Sequence, residues 1–172
     1  IPPYSLTVKV QEAGSLVPIS NANIKLQHAL ITHTGSSNGV GEETFTLFYQ
    51  DTYDIHVGLW GHDYACMTQV LDQNTGVLTI SLVKGYHDNF EFDLGWSVSG
   101  NAAKGMWERG IPNGSNGTSA PDDDSNSDCG SSAFVTGNAE TNNAVFGSLD
   151  KDHWELLNRK HFNHHFEQFG LI

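Results

Sequence analysis

Residues 4–12 read YSLTVKVQE, and their reading decides the fold. Leu6, Val8 and Val10 alternate with Thr7, Lys9 and Gln11. A period of two places every second side chain on one face, so the segment predicts a strand with one buried and one wet side. The same rhythm returns four times. NANIKLQ (21–27) aligns Ala22, Ile24 and Leu26, and EETFTLFY (42–49) aligns Phe45 and Leu47. TYDIHVGLWG (52–61) aligns Tyr53, Ile55, Val57 and Leu59, while in GVLTISLVKG (76–85) either Val77 or Leu78 leads into Ile80 and Leu82. Between these runs stand EAGSLVPIS (12–20) and GSSNGVG (35–41), rich in the residues that turns require. About seven short strands at this spacing predict an all-β sandwich.

Composition narrows the class. The 172 residues are 38% hydrophobic, which excludes wholesale disorder and allows one domain or two small ones. Twenty Asp and Glu face 8 Lys and Arg, for a net charge of -12. Such a field repels phosphate backbones and anionic membrane surfaces, so nucleic acid is not an expected partner. No apolar run approaches the roughly 18 residues that cross a bilayer, so membrane insertion is not expected either. The opening IPPYSLTVKV is already strand-like, the expectation for a domain cut from a longer precursor. Two cysteines, Cys66 and Cys129, are too few for a disulfide framework; they form one bridge in an oxidising compartment or remain buried thiols.

The order of residues across the first half resembles the carboxypeptidase regulatory-like domain, a transthyretin-like β-sandwich. Val8, Val10, Pro18, Ile19, Asn21, Ala22, Ile24, Leu26, Ser37, Asn38, Gly39, Thr52, Tyr53, Ile55, Val57 and Gly61 carry the resemblance. In its terms Ser37-Asn38-Gly39 makes a hairpin turn, Asn21-Ala22 brings two strands close, and Thr52-Tyr53 opens the strand after a bend. The resemblance implies a non-catalytic module over 1–85, beside enzymatic or adhesive domains.

From Tyr86 the chain resembles the opening of a jelly-roll domain found after such sandwiches in large secreted or cell-surface bacterial proteins, including metallopeptidases exported by the type IX route. The landmarks are DNFEFDLGWSVSG (88–100), GMWERGIP (105–112) and DCGSSAFVTGNA (128–139). The resemblance implies a partial jelly roll over 86–172. After Leu149 it stops, and DKDHWELLNRKHFNHHFEQFG (150–170) reads as a short helix, capped by Asp150 or Asp152 and ended by Gly170. Tryptophans in strands are expected to fill the core.

DDDSNSDCG (122–130) spaces Asp122, Asp124, Asn126 and Asp128 as D-x-D-x-N-x-D, which turns successive oxygens toward a hard cation. An EF-hand would add Gly and Glu where Ser127 and Ala133 stand, so structural calcium is weighed against a solvated surface loop. His153, His161, His164 and His165 cluster in the tail, but H-E-x-x-H is absent and packing or surface roles are favoured. There is no G-x-S-x-G elbow and no phosphate-cradling glycine loop.

The expectation is therefore a non-enzymatic, secreted or cell-surface accessory or adhesion module, with calcium as a structural ion and other domains of a parent protein as partners. Three alternatives stay open. One is a carbohydrate-binding module that stacks polysaccharide on Trp60, Trp96 or Trp107, favoured by exposed, coplanar rings. The others are an accessory region of a secreted metallopeptidase, and a filament subunit exchanging strands with another copy of itself.

Overall fold

The alternation that starts at Leu6 runs through seven strands. They are β1 (Tyr4–Glu12), β2 (Asn23–His28), β3 (Ile31–Ser36), β4 (Glu42–Leu47), β5 (Asp51–Gly58), β6 (Ala65–Leu71) and β7 (Val77–Leu82). The computed structural model describes residues 2–99, 107–112, 124 and 129–136. It contains two units, Ile1–Gly95 and Trp96–Ile172. The described residues hold strands and turns and no helix. The expected tail helix lies outside them.

In the first unit, β4-β1-β7 form one sheet and β3-β2-β5-β6 the other. β1 runs antiparallel to β4 and parallel to β7, while the four-stranded sheet is antiparallel throughout. The inner faces meet in one apolar core. Leu6, Val8, Val10, Phe45, Leu47, Leu78, Ile80 and Leu82 come from one sheet, and Ile24, Leu26, Tyr53, Ile55, Val57 and Leu71 from the other. Each such side chain stabilises the fold by about 1.5–3 kcal/mol relative to its exposed state. Leu78, not Val77, begins the inward run of β7, since Leu78 is buried and Val77 is 59% exposed. β3 and β6 are the edges of the four-stranded sheet, and of their residues only Leu71 is buried.

The turn chemistry at Ser37–Gly41 does a different task from the expected hairpin. β3 and β4 lie in different sheets, so this segment carries the chain across the sandwich. Asn38 Oδ1 accepts from the backbone N–H groups of Val40 and Glu42 at 3.0 and 3.1 Å. Ser37, 2% exposed, anchors the crossing. Its hydroxyl donates to Ile19 O at 2.7 Å and accepts from Ala22 N at 2.9 Å. Two backbone bonds, Asn21 N to Ser37 O (2.7 Å) and Ser37 N to Ala22 O (3.0 Å), complete the tie between the β1–β2 connection and the crossing. Asn21-Ala22 thus brings two segments close, as its composition suggests.

Gly41 closes the crossing at φ +79, where a Cβ would stand 2.5 Å from Val10 O and 3.0 Å from Pro18 Cβ. Its own carbonyl accepts from Val10 N at 2.7 Å.

The second unit contains β8 (Trp107–Gly110) paired antiparallel with β9 (Ala133–Thr136). Trp107 stacks on Phe134 with ring centroids 6.1 Å apart and planes 4° from parallel. Residues 86–95, which the sequence reading assigns to the second module, lie in the first unit.

The crossing predicts a contrast between neighbouring glycines. Gly41→Ala combines left-handed strain with a backbone clash and should cost about 2–4 kcal/mol. Gly39→Ala meets nothing within 4 Å, and should change stability by less than about 0.5 kcal/mol. Ser37→Ala should cost about 1–3 kcal/mol, because buried Ala22 N and Ile19 O lose their partner. Urea denaturation midpoints of the three variants check this order.

Candidate functional site

The outer face of an antiparallel sheet is ordinarily wet. On β2 and β5 the inward residues are Ile24, Leu26, Ile55 and Val57, so Lys25 and His56 fall on the outer face. They are direct cross-strand partners, and His56 in turn faces Cys66 on β6. His56 is nevertheless only 4% exposed.

The cover is supplied by residues 88–95. Glu91 Oε2 accepts from Lys25 Nζ at 2.7 Å, and the two side chains retain 3% and 20% of their exposure respectively. The Phe92 ring lies over Gly58, where a Cβ would stand 2.9 Å from Phe92 Cδ2. The rings of Tyr64 and Phe92 have centroids 6.5 Å apart. Tyr64 OH is hydrogen-bonded to His56 Nδ1. Short-range bonds shape this strap. Phe90, at φ +61, donates its N–H to Asp88 Oδ1 at 2.8 Å, and Glu91 N donates to Asn89 Oδ1 at 3.2 Å. Asn89 is 1% exposed.

The strap enters along a rigid path. Asp63 N donates to Val83 O (2.8 Å), Gly85 N to Gly61 O (3.2 Å) and Tyr64 N to His87 O (3.1 Å), so residues 61–64 and 83–87 zip together. Gly85 has no room for a side chain, since a Cβ there would stand 1.7 Å from Asp63 Oδ1.

Electrostatics follow from burial. Desolvation holds the His56 imidazole below its ordinary titration range, and the Lys25 ammonium pushes the same way against the opposing charges of Glu91 and Asp54. Elsewhere, burial together with Tyr53 and Asp72 pushes the Tyr4 phenol up to about 12. The arrangement is a buried charge pair with an adjacent imidazole–phenol bond, and its chemistry is that of a latch.

Of the expected cation loop, Asp124 is partly buried, while Asp122, Asn126 and Asp128 lie outside the described residues, as do the tail histidines. Among the described residues no group of three His, Cys, Asp or Glu is arranged to hold a metal. Neither Cys66 nor Cys129 is a free thiol. The expectation that tryptophans fill the core is corrected: Trp60, Trp96 and Trp107 are 53%, 51% and 53% exposed. Trp60 meets Tyr86 edge to face, with centroids 5.3 Å apart at 61°. The rings of that pair are therefore not coplanar.

Lys25, His56, Tyr64 and Glu91 were not singled out from the sequence. The available signals were two ionisable residues at wet-face positions of β2 and β5, and an acid between phenylalanines in FEF (90–92).

No family model matches the chain, and no curated protein matches it. Among solved structures it is similar to the Bacillus anthracis TIE protein, with 11% identity and a TM-score of 0.42. The similarity covers 48% of this chain and 16% of that one.

Lys25→Met would take a hydrogen-bonded cation from the buried Glu91 carboxylate and should cost about 3 kcal/mol. Lys25→Met combined with Glu91→Leu should recover most of that loss, since an apolar pair avoids the desolvation of both charges. Thermal unfolding of the two variants beside the unaltered protein checks the sign and order.

Proposed function

We propose that the chain is a non-catalytic extracellular accessory or adhesion module of a larger secreted or cell-surface bacterial protein. Its first unit is a carboxypeptidase regulatory-like sandwich and its second the start of a jelly roll. The observation that carries the proposal is that neither cysteine is a free thiol. Only two cysteines stand in 172 residues, and both are in the disulfide form. Structural disulfides persist in oxidising compartments and are rare in reducing ones. The apolar two-sheet core and the latched outer face suit a stabilising or presenting role. Structural calcium on Asp122, Asp124, Asn126 and Asp128 belongs to the same reading, holding a loop rather than doing chemistry.

A second reading is a carbohydrate-binding module. It draws on the exposure of Trp60 beside Tyr86, whose apolar ring faces and polar tips suit sugar stacking. Its specific prediction is quenching of tryptophan fluorescence by a soluble polysaccharide, abolished in Trp60→Ala.

Peptide mapping of the unreduced protein should find the Cys66 peptide joined to the Cys129 peptide. Reduction should lower stability by about 4 kcal/mol, given the length of chain the bond closes. Two alkylatable thiols in the freshly purified protein would overturn the reading. Calcium at about 100 times its dissociation constant should add about 2.7 kcal/mol, seen as a raised unfolding midpoint against EDTA at fixed ionic strength.

A further inference from the structure

His56 occupies an unusual place for a titratable group. It sits in the middle of an outer sheet face, 4% exposed, directly across the ladder from the Lys25 ammonium. The groups that face it come from every element packed around it. β2 presents Lys25, β5 itself presents Asp54, and the residue before β6 presents Tyr64. The strap presents Glu91, and Cys66 on β6 is in the disulfide form. The only carboxylate of the strap that joins this group is already bonded to Lys25 at 2.7 Å. A second buried cation would therefore compete with Lys25 for Glu91 in a region with little water to screen them.

From this geometry we propose that the strap Asp88–Gly95 is an acid-released cover. Protonation of His56 sets two positive charges side by side beneath Glu91 and Phe92, and the relief is to lift the strap so that solvent reaches both. Release uncovers Lys25 and His56 on the outer face of β2 and β5 and frees the Phe92 ring from Gly58. The inner core contains no ionisable Asp, Glu, Lys or His among its described buried residues, so the sandwich itself stays folded. The device goes beyond the accessory-module reading and does not require it, because it rests on the first unit alone.

The sign follows from linkage. The folded environment holds His56 below its ordinary range, so the folded state favours the neutral ring. Its contribution is complete above the ordinary imidazole pKa of about 6.5. It is lost progressively as pH falls from there toward the lower folded value. The relevant window opens below the ordinary imidazole value and extends down to the lower folded one.

The test is amide hydrogen exchange on the full chain at pH 7.5 and 5.0, corrected for the intrinsic pH dependence of exchange. Strap amides from Phe90 to Gly95 should lose protection several-fold at pH 5.0, while β1 and β5 amides keep theirs. His56→Gln, which preserves a hydrogen-bonding partner for Tyr64 without an ionisable ring, should keep the strap protected at both pH values. Retained protection of β1 in that variant shows that it folds. Direct titration of the His56 ring by NMR in the unaltered protein supplies the second arm, and its midpoint should fall below the ordinary imidazole value. Strap protection independent of pH, an unchanged acid response in His56→Gln, or a His56 midpoint above the ordinary value would each overturn the proposal.

Discussion

The constraint on which the rest of the structure depends is the crossing from β3 to β4. Two sheets can bury a common core only if the chain moves from one to the other without leaving polar backbone stranded between them. Ser37 resolves this by satisfying Ile19 O and Ala22 N with one hydroxyl. Gly41 then lets the backbone pass against β1, where any side chain would meet Val10 O. With the crossing in place, β1 is held at the centre of its sheet, and the alternation from Leu6 to Val10 faces Ile24, Leu26, Ile55 and Val57 in the core.

A second level of organisation lies on the opposite side of the four-stranded sheet. Burying an ammonium and a carboxylate is costly, and their attraction offsets the cost only with good geometry. The 2.7 Å contact between Lys25 and Glu91, supported by Phe92 over Gly58 and by the Tyr64–His56 bond, meets that condition. Such a pair contributes more to the choice of one arrangement for residues 88–95 than to net stability, and it makes that arrangement sensitive to any added charge. The apolar inner core and the ionic outer latch thus answer to different variables, the first to packing and the second to protonation.

The inner faces of β1, β2, β4, β5 and β7 were legible because period two, repeated in both sheets, leaves no other way to bury Leu6, Ile24, Phe45, Ile55 and Ile80 together. β3 and β6 were not, because of their residues only Leu71 is buried, and a strand that buries so little has no need to alternate apolar with polar side chains. Turn residues at Ser37–Gly41 signalled a change of direction, yet turn chemistry is the same whether the next strand pairs alongside or crosses to the other sheet. Tryptophan size misled: Trp60 and Trp107 pack against Tyr86 and Phe134 and remain half exposed. The latch was invisible because Lys25 and Glu91 are 66 residues apart, and no local pattern links a lysine on a wet face to an acid in a later loop.

The strap is an integral layer of the first unit, and comparing urea unfolding of two truncated chains, one ending at residue 95 and one at residue 85, tests that claim most directly. The account predicts cooperative unfolding for the longer chain and a clearly lower midpoint for the shorter, in which Lys25 and His56 lose their cover. Equal midpoints for the two chains would contradict it.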